Sequence, residues 1–213
     1  MGLNKLAWWF IRKSGASPLF LRWHPKSALL EKGWFRSVRS KESIDRDGNP
    51  IPWWTYSIIE FLDDRLDGSI RILEFGCGNS TRWLASRVQM IISIENNQLW
   101  ADKVRAHLPS NADILLVDSL EDFAKEIPEK YGNFDILIID AGNRMVCAQA
   151  AVKRVSDSGI VIWDNTSGPD WKEIKQFFFQ RGYREISFSG MTPQEVALSR
   201  TTIFYKSENC LGI

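Results

Sequence analysis

Apolar residues follow two different periods along this chain. From residue 71 onward, short runs with almost no polar interruption (RILEF at 71, MIISIE at 90, DILLV at 113, FDILIID at 134, GIVIW at 159) alternate with amphipathic stretches near 80–88, 97–107, 119–130 and 143–155. A strand with one wet face alternates polar and apolar residues. Runs this continuous in Ile, Leu and Val need cover on both faces, which crossover helices on a parallel sheet provide. The pattern predicts five βα units in a doubly wound, Rossmann-like α/β domain. Just before them, WWTYSIIEFLDDRL spaces Ile58, Phe61, Leu62 and Leu66 as a helix, which Asp67-Gly68 ends. The pattern changes again near the C-terminus. After a helix at about 170–181, GYREISFSG and SRTTIFYK are joined by a loop alone, so a mostly parallel sheet should close with an antiparallel hairpin.

Residues 1–52 show no such alternation and read as an N-terminal cap or lid, rich in Trp and basic, ahead of a ligand-binding domain over 53–213. Six of the ten tryptophans lie in the first 54 residues, where core packing is their default role. Ten Lys/Arg stand against four Asp/Glu in residues 1–50, although the whole chain is nearly neutral at +1. That local excess fits either a solvated basic face or a surface for anionic partners. Leu6 to Ile11, flanked by Lys5, Arg12 and Lys13, has no small-residue cleavage site and is far shorter than the roughly 20 apolar residues a membrane span needs. A peripheral membrane contact through Trp8, Trp9 and Phe10 is an alternative to packing on the domain or on a partner subunit, including a second copy of the chain. Cys77, Cys147 and Cys210 form no CxxC pair and are odd in number, which fits a reducing cytoplasm.

The candidate chemistry sits at the strand ends. In ILEFGCGNST, Glu74 closes the first strand. Gly76 and Gly78 then let the backbone turn tightly beside a ligand, and Asn79, Ser80 and Thr81 open a helix with hydroxyl and N–H donors. Seventeen residues beyond Gly78, the second strand ends at Glu95, whose carboxylate suits both hydroxyls of a ribose. Asp118 and Ser119 end the third strand and Asp140 the fourth, on the side where open α/β sheets bind ligands. A nicotinamide fingerprint G-x-G-x-x-G would require glycine where Thr81 stands.

Glu74, Gly76 and Gly78 in an E-x-G-x-G turn, Glu95, and the terminal hairpin together resemble the class I S-adenosylmethionine-dependent methyltransferases over residues 70–206. The resemblance implies S-adenosylmethionine as cofactor. Ser80 and the glycine backbone would then hold its methionine part, and Glu95 its ribose. Asn96 with Asp118 and Ser119 would face the adenosine. Trp100 is placed either near the adenine or in the core. Tyr56 and Thr55 lie in a stretch that folds over the cofactor in such enzymes, so Tyr56 is a further candidate for the methionine end.

The reacting end is expected at Asp140, Asp164 and Asn165. If the fourth and fifth strands are neighbours, GIVIWDNTSG sets two carboxylates and an amide together, hard donors suited to Mg²⁺ or Ca²⁺. The arrangement is similar to the metal site of the catechol and caffeoyl-CoA O-methyltransferases, which makes Mg²⁺ a candidate ion and the three residues candidate catalytic groups. The AGNRM that follows Asp140 departs from that pattern. The competing reading has Asp140 bonding cofactor or substrate and Asp164-Asn165 fixing a turn. Arg144 is placed at an acceptor pocket or in an ordinary ion pair, His107 on a solvated helix face, and His24 in the cap. The closing TTIFYKSENCLGI and the phrase PIPWWTY also resemble small FkbM-like bacterial methyltransferases, which implies an oxygen acceptor.

The expected function is methyl transfer to a hydroxyl of a small molecule or saccharide. The alternative is a non-catalytic sensor or partner subunit that binds S-adenosylmethionine or a nucleotide. Nucleic acid is not expected as a partner, because only the basic N-terminus favours it and no NPPY-type motif is present.

Overall fold

The computed structural model describes residues 5–16, 22, 24, 26–119 and 129–213. Three helices come first, α1 (Lys5–Lys13), α2 (Ala28–Glu31) and α3 (Trp34–Ser40), followed by α4 (Tyr56–Asp63). The alternating part then runs β1 (Arg71–Phe75), α5 (Asn79–Ala85), β2 (Met90–Glu95), α6 (Gln98–Arg105), β3 (Ala112–Leu116), β4 (Phe134–Ile139), α7 (Arg144–Ala151), β5 (Val155–Trp163), α8 (Trp171–Phe179), β6 (Arg184–Met191) and β7 (Leu198–Tyr205). The helix expected at 119–130 falls mostly on residues 120–128, which lie outside the described residues; Glu129–Tyr131 is a short 3₁₀ turn.

All seven strands form one sheet in the order β3-β2-β1-β4-β5-β7-β6. The first five are parallel, and β7 runs back antiparallel to both β5 and β6. The expected fold class holds, including the closing hairpin. Its last strand inserts between β5 and the edge strand β6.

Alternate residues of the buried strands face opposite layers. Leu73, Phe75, Ile92, Ile94, Leu137, Ile139 and Trp163 pack with Cys147 and Ala148 of α7 and with Ile174 and Phe178 of α8. Ile72, Ile91, Ile136, Ile138, Ile160 and Ile203 pack with Ile58 and Leu62 of α4 and with Trp83 and Leu84 of α5. Covering both faces is what allows the runs to be apolar throughout. Strand β5 departs from expectation by starting at Val155, where helical spacing had suggested a helix, because Ser156 and Asp157 are polar and interrupt its apolar run. Its register against β4 shifts between Phe134 and Ile136, and the Ser156 hydroxyl donates to Asp135 Oδ1 at 3.1 Å.

The segment from α3 to Ile51 is attached to the domain. Ser37 Oγ donates to Ile44 O at 2.6 Å and accepts from Ile44 N at 3.1 Å, which fastens the turn-rich stretch. Trp34 Nε1 donates to Glu195 O at 2.9 Å, and Asn79 Nδ2 donates to Ser43 O at 2.9 Å. Helix α1 has no buried residue, and Leu6, Trp9 and Phe10 are exposed on it beside the basic Arg12 and Lys13. Among the described residues, no helix is long and apolar enough to cross a membrane.

Glu74 interrupts the aliphatic face of β1 that meets α5. Its side chain is 1% exposed and accepts hydrogen bonds from Ser80 Oγ (2.7 Å), Thr81 Oγ1 (2.6 Å) and Ser93 Oγ (2.6 Å). Thr81 Oγ1 in turn accepts from Gly78 N at 3.0 Å. One carboxyl thus ties β1, β2 and the first turn of α5 into a single polar knot, since a buried carboxyl without partners would cost several kcal/mol. Burial pushes the Glu74 carboxyl up to about 7, against the lowering effect of the three hydroxyls. Just after it, Gly76 has φ +89°, and a Cβ there would stand 2.5 Å from Asp140 O, so the turn closes on the end of β4 only with glycine.

Two outcomes follow. The unfolded chain ionises Glu74 near 4.5 and the folded one near 7, so the stability held by the neutral carboxyl is full below pH 4.5 and is lost as pH rises through 7, by about 3 kcal/mol in all. The melting temperature should fall between pH 5 and 8, and Glu74→Gln should flatten that slope; parallel slopes in thermal melts would refute the assignment. Gly76→Ala, which adds both strain and a collision with Asp140 O, should cost about 2 kcal/mol or more in urea unfolding.

Candidate functional site

Above the carboxyl ends of β1, β2 and β4 lies a cavity of about 410 Å³, bounded by Cys77, Gly78, Asn79 and Ser80 on one side and by Trp53 and Ser43 on the other. This lies within the roughly 300–1,000 Å³ of small-molecule sites. Trp100 of α6 forms a further wall. It is 42% exposed, not in the core, and its Nε1 donates to Cys77 O at 2.6 Å. A Cβ on Gly78 would meet only Trp100, at an ordinary contact distance of 3.9 Å, so the indole stands over the turn. Lys41, Arg82, Lys103 and His107 line the same cavity. His107 is exposed, as expected, and borders this cavity, whereas His24 packs edge-on against Trp8 with ring centroids 4.4 Å apart.

Around this cavity the sequence-derived candidates take different positions. Gly78, Ser80 and Asp140 line it, and Gly76 shapes the turn behind it. Glu74 is spent on the three hydroxyls and does not line it. Its part is to hold Ser80 and the turn. Glu95 Oε1 accepts from the backbone N–H of Asn96 and of Asn97, each at 2.9 Å, and Oε2 accepts from Cys77 N at 3.3 Å. The half-buried Glu95 carboxylate is thereby aimed at the glycine turn. Asn96 is exposed beside it. Val117 N donates to Glu95 O at 2.9 Å, which places the exposed Asp118 and half-buried Ser119 on the adjacent strand end. Tyr56 packs against the apolar layer of α4 and lines none of the cavities described here. Its neighbour Thr55 donates to Phe188 O at 3.4 Å, so the structure does not bring this pair to the turn.

Strands β4 and β5 are neighbours, with Ile139 opposite Trp163, and so the residues that follow them meet. Asp140, Asp164 and Asn165 line a second cavity of 240 Å³ with Trp53, Thr192, Glu195 and Ser199. Trp53 and Asp140 border both cavities, so the two spaces adjoin. Asp140 Oδ2 accepts from the indole N–H of the buried Trp54 at 3.1 Å, and Asp140 Oδ1 stands 3.6 Å from the Arg144 guanidinium. Burial raises the Asp140 pKa although 28% of its side chain still reaches the cavity. Asp164, buried and accepting from Thr201 Oγ1, is raised to about 7 by burial and then by the charge of Asp140. Asn165 adopts φ +59°, a left-handed conformation that asparagine tolerates, and its Oδ1 accepts from Arg144 Nη2 at 2.8 Å.

These contacts test whether the trio fits a divalent ion. Asp140 Oδ2 accepts from Trp54, Asp140 Oδ1 and Asn165 Oδ1 both face Arg144, and Asp164 Oδ1 accepts from Thr201. A guanidinium about 4 Å from a divalent ion opposes it by roughly 8 kcal/mol at an effective dielectric near 20. As arranged, the residues oppose a divalent ion, and the physical reason is the cation already present. Among the described residues, no group of three or more His, Cys, Asp and Glu side chains is placed to hold a metal.

Past Asn165 and Arg144 a third cavity of 330 Å³ opens, walled by Trp163, Trp171, Met145 and Ile174. Sequence reasoning missed Trp53 as a wall shared by two cavities, and it missed Ser43, Gln194 and Glu195. Gln194 has φ +74° and hydrogen-bonds Ser43 at 3.0 Å, so the β6–β7 loop and the segment before α4 close over the cavity together. Their contact joins residues 151 positions apart. The tandem Trp53-Trp54 was the one local signal for this closure, with the first ring half exposed and the second buried.

No family model matches this chain, and no curated protein does. Solved structures do. An O-methyltransferase from Bacillus cereus in complex with SAH is 18% identical, covers 91% of this chain and 97% of its own, and superposes with a TM-score of 0.57. A structure described as a putative caffeoyl-CoA O-methyltransferase from Staphylococcus aureus is 15% identical, covers 92% and 100%, and gives 0.55. An rRNA methylase from Streptococcus thermophilus is 14% identical, covers 69% and 92%, and gives 0.53. With β7 inserted between β5 and β6 and a glycine turn between β1 and α5, the chain has the fold of the class I S-adenosylmethionine-dependent methyltransferases.

Proposed function

We propose that this protein transfers a methyl group from S-adenosylmethionine to a hydroxyl oxygen of a small molecule or saccharide. The observation that carries the reading is the adjacency of two cavities that share Trp53 and Asp140, one at the glycine turn and Trp100, the other at Asp140 and Asp164. The fold itself does not choose an acceptor, since the neighbours with this fold include both O-methyltransferases and an rRNA methylase.

The residues divide between the two ends. Ser80 and the backbone of Gly76 to Gly78 receive the methionine part, with Trp53 as the opposite wall. Glu95, already oriented by three backbone N–H groups, accepts the ribose hydroxyls, and Asn96 with Asp118 and Ser119 borders the adenosine. When bound, S-adenosylmethionine supplies an activated methyl group on a sulfonium. At the other end, Asp140 and Asp164 form an acidic pair whose pKa values lie above the usual carboxylate range, which suits them to take the proton of an acceptor hydroxyl near neutral pH. Trp54 and Thr201 fix the two carboxylates, so that orientation is set before the acceptor arrives.

Isothermal calorimetry tests the reading. S-adenosylmethionine and S-adenosylhomocysteine should bind with micromolar affinity, Glu95→Ala should weaken both at least about tenfold, equivalent to about 1.4 kcal/mol, and NAD should give no heat. Folded protein that binds neither cofactor form would overturn the proposal, whereas binding without turnover on any hydroxylated acceptor would favour a sensor.

A further inference from the structure

We propose that the Arg144 guanidinium is the built-in cation of the reaction centre and that it occupies the place in which a divalent ion would otherwise be held. The inference goes beyond the proposed methyl transfer and rests on it only for the use to which the cation is put.

Arg144 is the first residue of α7 and follows Asp140 by four residues through a turn in which Asn143 is left-handed, and its side chain reaches back to the end of β4. Its Nη2 donates to Asn165 Oδ1 at 2.8 Å and lies 3.6 Å from Asp140 Oδ1. One side chain therefore spans the ends of β4 and β5 and engages an oxygen of two members of the trio. The third member, Asp164, is held through Oδ1 by Thr201. Two carboxylates and one guanidinium leave the centre with a formal charge of −1 when both acids are ionised, which is a weaker attraction for a divalent ion than the trio alone would exert.

Arg144 also retains unused capacity. Its Nε is buried and has no hydrogen-bond partner. A guanidinium is a planar fork of five donors, more than the contacts of Nη2 use. The side chain lines the 330 Å³ cavity whose walls include Trp163, Trp171 and Met145, while its Nη2 faces the carboxylate centre. A guanidinium favours an anionic oxygen as its ligand, and the acceptor oxygen that forms on loss of a hydroxyl proton to the acidic pair is of this class. A fixed cation aimed at developing negative charge supplies the stabilisation that a bound metal supplies in other sites, with no exchange of ions. Arg cannot deprotonate to escape the role.

The test uses Mn²⁺ as the probe, followed by electron paramagnetic resonance on the full-length protein with S-adenosylhomocysteine added, and circular dichroism to establish folding. Wild-type protein should bind no stoichiometric Mn²⁺ up to millimolar concentrations. Arg144→Ala, which frees Asp140 Oδ1 and Asn165 Oδ1, should gain one Mn²⁺ site with an affinity at least tenfold above any wild-type signal, and Arg144→Ala/Asp164→Asn should lose it. Arg144→Lys, which keeps the charge, should remain without the site. Stoichiometric Mn²⁺ binding by wild type, abolished by Asp164→Asn, would overturn the proposal, as would a folded Arg144→Ala protein that gains no Mn²⁺. Failure of the cofactor reading is seen separately, as absence of S-adenosylhomocysteine binding to wild type, and leaves the Mn²⁺ comparison valid.

Discussion

The carboxyl of Glu74 is the constraint on which the cofactor-side geometry depends. An acid in the middle of an aliphatic sheet face is tolerable only if its oxygens are saturated, and the chain saturates them with hydroxyls from three places, Ser80 and Thr81 of α5 and Ser93 of β2. Because those donors sit on different elements, satisfying one buried group also sets the distance between β1 and β2 and the pitch of the turn that joins β1 to α5. Gly76 then has little freedom, and the carbonyl of Asp140 comes against it from β4. A chemical necessity in the core thus reaches the surface as the shape of a binding turn.

At the other end of the cleft the organising principle is charge balance. Burial raises both Asp140 and Asp164, and the charge of Asp140 raises Asp164 further. Such a pair persists in a folded chain because neighbours compensate it: Trp54 and Thr201 with hydrogen bonds, Arg144 with charge. The same three contacts decide what else the centre can hold. They also explain why the order of the chain matters here, since the compensating residues come from the loop before α4, from α7 and from β7 and meet only once the sheet is assembled.

Much of this was legible from residue order. Unbroken aliphatic runs announced a sheet covered on both faces, and acids at successive run ends located the ligand side, because in a parallel sheet every strand end of that kind emerges at the same edge. Local signals failed where the structure depends on distance. Ser93 looked like an incidental polar residue in MIISIE, yet it is part of the Glu74 knot 19 positions away. The polar start of β5 hid from a reading based on hydrophobicity, since Ser156 earns its place through Asp135 on the neighbouring strand. A DN pair after a strand reads as metal ligands when taken with Asp140 alone. The guanidinium that changes the reading was visible as a letter, Arg144, but the direction of its side chain was not.

The placement of β7 has a consequence for how the molecule is assembled over time. Among the described residues, strand β6 pairs only with β7, and β5 presents its outer edge to β7 as well, so the two are joined by a strand that is synthesised after both. While a nascent chain stops short of Leu198, β6 has no partner in the sheet and β5 carries a bare edge, the kind of surface that recruits foreign strands. Thr201, which holds Asp164, arrives on that same late strand. Closing the sheet against aggregation and completing the acidic centre are therefore one event, so a partly made chain is both sticky and unfinished at its chemistry.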